Sequence, residues 1–125
     1  HSSAHSDPTG ALGAREAAAI AEGMKVFGAG SRVRLLYALM ERGLTVEELA
    51  AEVEMAPAAV SQQLRILRQL DFVVADREGR HLRYRLHDHH VADLLVAIRH
   101  HHEHASQGWS DLKAARPTLE RVHRG

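Results

Sequence analysis

The chain of 125 residues contains no cysteine, and that absence removes several classes of chemistry at once. Disulfide bonds, thiolate nucleophiles and metal sites built on thiolate sulfur are all excluded. No run of about 18 apolar residues occurs, so no membrane-spanning helix is expected. The first thirty residues also lack a basic start followed by an apolar stretch, the pattern of a signal peptide. We therefore expect a cytoplasmic protein.

An excess of charge of either sign is also missing, because 16 basic and 16 acidic residues give a formal net charge of zero. The overall charge therefore gives no reason to expect a polyanionic partner. The distribution is uneven, however: between residues 57 and 86, six arginines stand against three acidic residues. A local basic patch indicates contact with nucleic acid, and ordinary solvated surface charge is the alternative.

The length and the 45% of apolar residues fit one domain with a packed core. We predict that this domain spans residues 10–106, between a disordered tail at 1–9 and a flexible tail at 107–125. An Ala-rich helix is predicted from about Gly10 to Phe27. A second helix follows, with Ser31 as its N-cap.

Two short helices are predicted in the middle of the chain. Gly43 is expected to end the preceding helix as a left-handed cap residue. Thr45 and Glu48 form the pattern of a capping box at the start of a helix over 46–53. Pro57 suits the first turn of the next helix. The inward-facing residues of that helix recur at helical spacing, at Val60, Leu64 and Leu67.

The period of the sequence then changes from helical to alternating. Residues 71–75 (DFVVA) form a short β-branched segment, and in 81–86 (HLRYRL) apolar residues alternate with His81 and two arginines. These segments predict a β-hairpin whose loop, at 76–80, is basic. A last helix is expected to begin near Asp88. Its apolar stripe consists of Val91, Leu94, Leu95 and Ile98.

Two short helices followed by a hairpin predict a mainly α fold with a small β-hairpin, the winged helix-turn-helix. The helix from Pro57 to Leu70 would be the recognition helix, and its exposed polar side chains are of types that contact base edges or phosphates. The hairpin loop would lie beside backbone phosphates. The predicted DNA contacts are Ser61, Gln62, Gln63, Arg65, Arg77 and Arg80. The alternative is that these are ordinary polar faces of a small helical domain.

The predicted last helix carries a run of side chains that bind transition metals. His90 precedes His101 by eleven residues and His104 by fourteen, so all three lie on one stripe of a helix. Eleven helical residues span about 16 Å, too far for one ion to contact both ends. A metal site would therefore need a second, antiparallel copy of the helix, so the run predicts both a metal and a dimer. Surface histidines that bind metal loosely or not at all are the alternative.

The stretch from Thr45 to Leu86, with VSQQLRILRQLDFVV as its most specific segment, resembles the ArsR/SmtB family of metal-responsive winged-helix repressors. The resemblance covers roughly Ser31 to His104. Family members often have His where this chain has Gln62, and glutamine can also contact a base edge. The resemblance implies a homodimer that places two recognition helices in successive major grooves of an inverted-repeat operator.

The resemblance also implies the set of metal ligands. One class of the family uses cysteines on the helix over 46–53, and that site is absent here. Another class uses Asp-x-His followed eleven residues later by His-x-x-His on the last helix. The matching residues are Asp88, His90, His101 and His104. The resemblance implies two symmetric sites per dimer, each with the first two ligands from one chain and the last two from the other.

The identity of the metal stays open at the level of sequence. Three imidazoles and one carboxylate suit tetrahedral Zn(II). The local sequence is most similar to the nickel- and cobalt-sensing branch, which adds later histidines to reach six ligands. Ser106 and Lys113 stand at those positions here, so Ni(II) or Co(II) would need water or other ligands. His5, His100 and His102 are the candidates, and the alternative is that all three are bystanders.

These features predict a metal-sensing transcriptional repressor that is released from operator DNA by Zn(II) or by Ni(II)/Co(II). The ring nitrogen of His101 outside the ligand set could donate to a backbone carbonyl near Asp71, as the family resemblance implies. One alternative is a winged-helix regulator, including an activator, whose last-helix histidines only support dimer packing. Catalysis is not expected, because a ligand set divided between two helices offers neither an open coordination position nor an obvious base.

Overall fold

The computed structural model describes residues 10–105, and within them it shows a mainly helical chain with a small sheet. The elements, in chain order, are α1 (Ala14–Met24), a 3₁₀ helix (Lys25–Gly28), α2 (Gly30–Ala38), β1 (Leu44–Thr45), α3 (Val46–Val53), α4 (Pro57–Gln69), β2 (Val73–Glu78), β3 (His81–Leu86) and α5, which runs from 89 to 105. This arrangement confirms the predicted winged helix-turn-helix. The predicted tails, 1–9 and 107–125, lie outside the described residues, and so does residue 106, which the prediction assigned to the domain.

The core is formed where α2, α3 and α4 meet. The inward-facing residues predicted for α4, Val60, Leu64 and Leu67, are each fully buried. From α5 only Leu95 reaches full burial, while other residues of its predicted stripe pack partly against the core. No residue of α1 is buried. The three central helices thus form the rigid centre, and α1 and α5 lie on its outside.

The helix-turn-helix pair begins with the predicted capping box. The backbone N–H of Glu48 donates to Thr45 Oγ1 at 3.2 Å, and the N–H of Thr45 donates to Glu48 Oε1 at 2.9 Å. Pro57 occupies the first turn of α4, as predicted. Glu54, in the connection, has a left-handed φ of 56°. This conformation turns the chain between α3 and α4 without a glycine.

The N-terminal boundaries differ from those predicted. The first helix begins at Ala14 instead of Gly10, and it ends in a 3₁₀ turn. Ser31 is not the N-cap of α2; Ala29 is, with extended backbone angles and a carbonyl that accepts from the N–H groups of Arg32 and Val33. The main chain therefore starts α2 without help from a side-chain cap.

Gly43 does not end α2 as a left-handed cap, because the helix finishes at Ala38 and Gly43 lacks a positive φ. Gly43 instead lies against β3. A Cβ built there would be 3.1 Å from Cγ of Arg83 and 3.2 Å from the carbonyl oxygen of Tyr84. A larger residue here would require Arg83 or the Tyr84 carbonyl to shift by a few tenths of an ångström, and the neighbours of Gly43 in sequence do not reveal this.

The hairpin is longer and its turn is tighter than predicted. Strand β2 continues through Glu78, so the turn contains only Gly79 and Arg80, with Gly79 at a φ of 63°. Arg77 therefore lies in a strand and not in a loop. The sheet also has a third strand that the sequence did not predict, because β1 pairs with β3 and gives the order β1-β3-β2.

Helix α5 begins beside Asp88, as predicted. Asp88 Oδ1 accepts from the backbone N–H of His90 at 3.0 Å and from that of Val91 at 3.2 Å. These bonds satisfy N–H groups that have no partner inside the helix. Across residues 10–105, every helix is too short or too polar to cross a membrane.

Replacing Glu54 by glycine is expected to stabilise the fold by about 0.5–1 kcal/mol. Glycine adopts a left-handed φ without the steric cost that an L side chain bears, although its unfolded state has more entropy. Urea unfolding measures the change. Glu52→Gly is the matched control, because the same substitution inside α3 should destabilise by about 1 kcal/mol. A loss of stability in Glu54→Gly would contradict the role assigned to its backbone strain.

Candidate nucleic-acid interface and metal-ligand residues

The exposed face of α4 is defined by the face that the core buries. With Val60, Leu64 and Leu67 directed inward, Ser61, Gln62 and Arg65 are exposed to solvent. A helix that is anchored along one side and polar along the other can enter a major groove. The structure therefore gives these three predicted DNA contacts the exposure that their role requires.

Ser61 and the tip of the hairpin line the same surface cleft. This cleft, of about 400 Å³, lies between the first turns of α4 and the wing, and Arg80 and His81 line it from the wing side. Arg77 and Arg80 are both exposed. The recognition helix and the wing turn thus offer a hydroxyl and a guanidinium to one concave surface, which Glu47 also lines.

Gln63 differs from the other predicted contacts because it is half-buried and already bonded within the protein. Its Oε1 accepts from Nη1 of Arg32 at 3.2 Å. Nε of Arg32 donates to the carbonyl of Val26 at 3.1 Å, and Nη2 donates to that of Lys25 at 2.9 Å. Arg32 was absent from the predicted site residues. Its partners lie 31 and 6 to 7 residues away, beyond any local pattern.

Two other basic residues of the wing are engaged in holding the fold. Nη1 of Arg83 donates to the carbonyl of Gly43 at 2.9 Å and to Glu48 Oε1 at 3.1 Å, while its Nε contacts Glu78. Nε of Arg85 donates to Asp76 at 2.7 Å. Arg83 therefore links the hairpin to the start of α3. Two of the four arginines of the hairpin, Arg83 and Arg85, are therefore paired within the protein.

The same contacts change the ionisation of Glu48. The Glu48 carboxylate accepts a hydrogen bond from the backbone N–H of Thr45. This bond is the largest cause that lowers the pKa of Glu48 below its ordinary value. The positive charges of Arg83 and Arg42 act in the same direction, against partial desolvation. The hydrogen bond to Glu78 likewise raises the pKa of Arg83.

Two of the four predicted metal ligands lie together at the start of α5. Nδ1 of His90 is 3.6 Å from Asp88 Oδ1. Asp88 Oδ2 also pairs with Nδ1 of His87 at 3.1 Å, and this bond is the largest cause that lowers the pKa of Asp88. His87 was missed by sequence, because the family pattern starts one residue later. A carboxylate held ionised beside an imidazole is a suitable half of a metal site.

The other two predicted ligands, His101 and His104, are exposed near the opposite end of α5. The His104 ring lies against the His100 ring, with 4.3 Å between centroids. At 1.5 Å per residue, the helix separates His90 from His101 by about 16 Å. Within residues 10–105 no three His, Asp or Glu side chains come close enough to hold an ion. Asp88 and His90 therefore lie far from His101 and His104 in one chain, and the donor chemistry of the four residues fits a metal only if they come from two chains.

A polar recognition helix beside an arginine-bearing hairpin defines the class of winged-helix DNA-binding proteins. Within that class, residues 30–74 match the family model described as bacterial regulatory protein, arsR family. NmtR, an HTH-type transcriptional regulator of Mycobacterium tuberculosis, is 41% identical over 104 residues, which cover 83% of this chain and 87% of NmtR. The chain belongs to the ArsR family.

Solved structures agree with this assignment. The solution structure of apo-NmtR is similar at a TM-score of 0.65 and 40% identity, over 80% of this chain and 84% of that one. The antimony-specific transcriptional repressor AntR gives a TM-score of 0.69 at 35% identity, over 81% and 92%. A homodimeric winged helix-turn-helix DNA-binding domain of Mycobacterium bovis gives 0.70 at 25% identity, over 80% and 95%. The chain is a DNA-binding transcriptional regulator and not an enzyme, as predicted.

Replacing Arg80 by alanine is expected to weaken DNA binding about equally for all sequences. Loss of one phosphate contact should also lower the slope of log affinity against log salt by about one. Fluorescence anisotropy with a labelled duplex, over a series of salt concentrations, measures both quantities.

Arg85→Ala is the matched control, because it removes the same charge from the same hairpin. Its effect should be smaller, since Asp76 already neutralises that guanidinium. Equal salt slopes for the two variants would contradict a phosphate contact by Arg80.

Glu48→Gln is expected to destabilise the fold at neutral pH and to have little effect in acid. Glutamine keeps the capping geometry but loses the charge beside Arg83. Because the folded pKa of Glu48 is lowered, its ionisation stabilises the fold above the unfolded pKa of about 4.3, and this stability is lost as pH falls through the folded value.

Urea midpoints over about pH 3 to 7 measure this difference between Glu48→Gln and the wild type. Glu47→Gln serves as the control, because Glu47 takes part in none of the ion pairs found among residues 10–105. A difference for Glu48→Gln that does not change with pH would show that the ionised carboxylate is unimportant.

Proposed function

We propose that this protein is a homodimeric, cytoplasmic transcriptional repressor that binds an inverted-repeat operator and is released from it by a transition metal. The observation that carries the proposal is that Asp88 and His90 lie at the start of α5 and His101 and His104 near its other end, in an ArsR-family chain. DNA is bound by the exposed residues of α4 and by the wing. The predicted contacts are Ser61, Gln62, Gln63, Arg65, Arg77 and Arg80.

Dimerisation is supported by apolar surface on the two outer helices. Ile20 and Met24 of α1 are 46% and 42% exposed, and Val96 of α5 is 57% exposed. A cleft of about 580 Å³ between the end of α1, α2 and α5 is lined by Met24, Phe27, Val33 and Ile98, among others. Apolar surface grouped in this way is typical of a subunit interface. The homodimeric relative from Mycobacterium bovis has the same fold.

The metal would be held between the two copies of α5. Asp88 and His90 of one chain, with His101 and His104 of the other, would supply one carboxylate and three imidazoles to each of two symmetric sites. When bound, the ion supplies a fixed link among these four side chains and so between the two helices. This donor set favours Zn(II), while added water or a further ligand such as His5, His100 or His102 would suit Ni(II) or Co(II).

Release from DNA requires that the four residues hold the ion more tightly in the conformation with low DNA affinity. A coupling of about 3–6 kcal/mol would change the operator from mostly bound to mostly free. The ring nitrogen of His101 outside the ligand set can carry this coupling by donating to a backbone carbonyl near Asp71. Asp71 has a left-handed φ of 62° directly after α4, so a bond there would bear on the position of the recognition helix.

A second candidate function is a winged-helix regulator, including an activator, in which the histidines only pack the dimer. The tilted ring contacts of His104 with His100 and of His89 with His90 favour this possibility, because they engage these side chains within the protein. Metal binding separates the two candidates. Packing histidines would give no stoichiometric site at neutral pH, whereas the proposed repressor binds two ions per dimer.

Mixing two complementary variants is expected to restore metal sites that each variant lacks. Asp88→Ala/His90→Ala and His101→Ala/His104→Ala should each bind no metal tightly alone. After subunit exchange, the heterodimers have one intact site and one empty site. Random mixing should therefore recover about a quarter of the wild-type capacity, because half of the dimers carry one of the two sites. Isothermal titration with Zn(II), Ni(II) and Co(II) measures this capacity.

The control is His102→Ala, an exposed histidine on the same helix that is outside the proposed set. It should keep the full capacity if the ion is zinc. Recovery of no sites in the mixture, with wild-type binding intact, would contradict ligands from two chains. Metal binding that leaves operator affinity unchanged in the wild type would contradict the proposed function itself.

A further inference from the structure

Arg32 lies at the point where the end of α1, the start of α2 and the recognition helix meet. Two of its nitrogens donate to the main-chain carbonyls of Lys25 and Val26 in the 3₁₀ region. The third nitrogen donates to Oε1 of Gln63 at 3.2 Å. Because a guanidinium is planar, the two main-chain bonds fix its plane and therefore fix the direction of the third N–H.

The chemistry of arginine decides which end of the Gln63 amide faces it. Arginine has five donors and no acceptor, so the amide atom next to Nη1 must be the carbonyl oxygen. The NH₂ group of Gln63 is then directed away from Arg32. A free glutamine could present either end of its amide, but this one presents donors only.

The position of Gln63 on α4 allows its outward-directed NH₂ group to contact DNA. Gln63 is half-buried, between exposed Gln62 and buried Leu64, so it lies on the flank of the exposed face. When a helix enters the major groove, its flank passes base edges and the phosphates of the groove wall. A side chain that offers only N–H donors at that place can bind only hydrogen-bond acceptors.

We infer that Arg32 is a positioning residue for DNA binding, which turns Gln63 into a dedicated donor for an acceptor atom on the operator. This inference rests on the proposed DNA-binding role of α4. The acceptor is either a base atom, such as O6 or N7 of guanine or O4 of thymine, or a phosphate oxygen. In both cases Arg32 acts through Gln63 and does not itself touch DNA.

The test is a double-variant cycle on DNA affinity. A duplex library with a randomised inverted repeat is selected with the wild-type dimer without metal, and the best duplex is the probe. Arg32→Met and Gln63→Met should each weaken binding by about tenfold, as expected for one lost hydrogen bond. The double variant should be no weaker than Gln63→Met alone, because Arg32 has no effect once Gln63 is gone.

Arg34→Met is the matched control, since it removes one positive charge from an exposed position of α2. Urea unfolding shows whether Arg32→Met, which also loses the bonds to Lys25 and Val26, stays folded under the assay conditions. If it does not, Gln63→Glu replaces it, because this variant keeps Arg32 bonded but loses the NH₂ donors. Gln63→Glu should then bind DNA more weakly than Gln69→Glu, which adds the same charge at an exposed position of α4 outside the proposed contacts.

Two further measurements separate the acceptors. A base contact predicts that selection with Arg32→Met loses preference at one position in each half-site. A phosphate contact predicts an unchanged selection, but one methylphosphonate substitution that weakens the wild type and not Gln63→Met. Either result supports the inference.

Additive losses in the cycle, or an equal effect of Gln69→Glu and Gln63→Glu, would overturn the inference. If the wild type selects no sequence, the proposed operator fails. The cycle then uses a random-sequence duplex at low salt, where the phosphate measurement still decides the role of Arg32.

Discussion

The position of the last helix depends on its contact with the core over residues 91–95. Leu95 is the residue of α5 that is fully buried, and the Tyr37 hydroxyl donates to its carbonyl at 2.7 Å. The guanidinium of Arg99 lies 5.7 Å from the Tyr37 ring centroid, beside the same contact. The residues between Asp88 and His104 are positioned through this contact of α5 with the core. The helix can therefore present ligands at both ends while most of its surface stays available for a second subunit.

The arginines of the chain divide into those that build the DNA-binding surface and those that are free to touch DNA. Arg83 connects the wing to α3 through Gly43 and Glu48, and Arg32 connects the 3₁₀ turn to α4 through Gln63. Both residues donate to main-chain carbonyl oxygens of other segments. A count of basic residues thus overstates the charge available to phosphate, which is why net charge alone says little about this protein.

Local signals in the sequence predicted the elements that local physics controls. The capping box of Thr45, the place of Pro57 and the buried repeat of α4 depend on residues a few positions apart, and all were confirmed. Strand β1 was missed because two residues become a strand only by pairing with β3. The hairpin turn was placed too early, because polar residues before Gly79 suggested a loop, although Asp76 and Glu78 pair across the strands.

In the candidate site, too, contacts between residues close in sequence could be predicted and contacts between distant segments could not. Asp88 and His90 are close in sequence and lie close in space, whereas the partners of Arg32 and the role of Gly43 come from segments far apart along the chain. The spacing of the proposed metal ligands on a helix predicted that they come from two chains. The meeting of these ligands at one ion is a property of the dimer. That assignment therefore remains a prediction for the dimer.

Leu95 lies nearly midway between His90 and His101. A tilt of α5 about this buried residue would therefore move the two ends of the helix, with the proposed ligands, in opposite directions. In a two-fold dimer, the proposed metal sites would link each end of one α5 to the opposite end of the other α5. The two helices would then tilt only together. An input at either site would then be shared by both subunits through mechanics alone, with no contact required between the two sites.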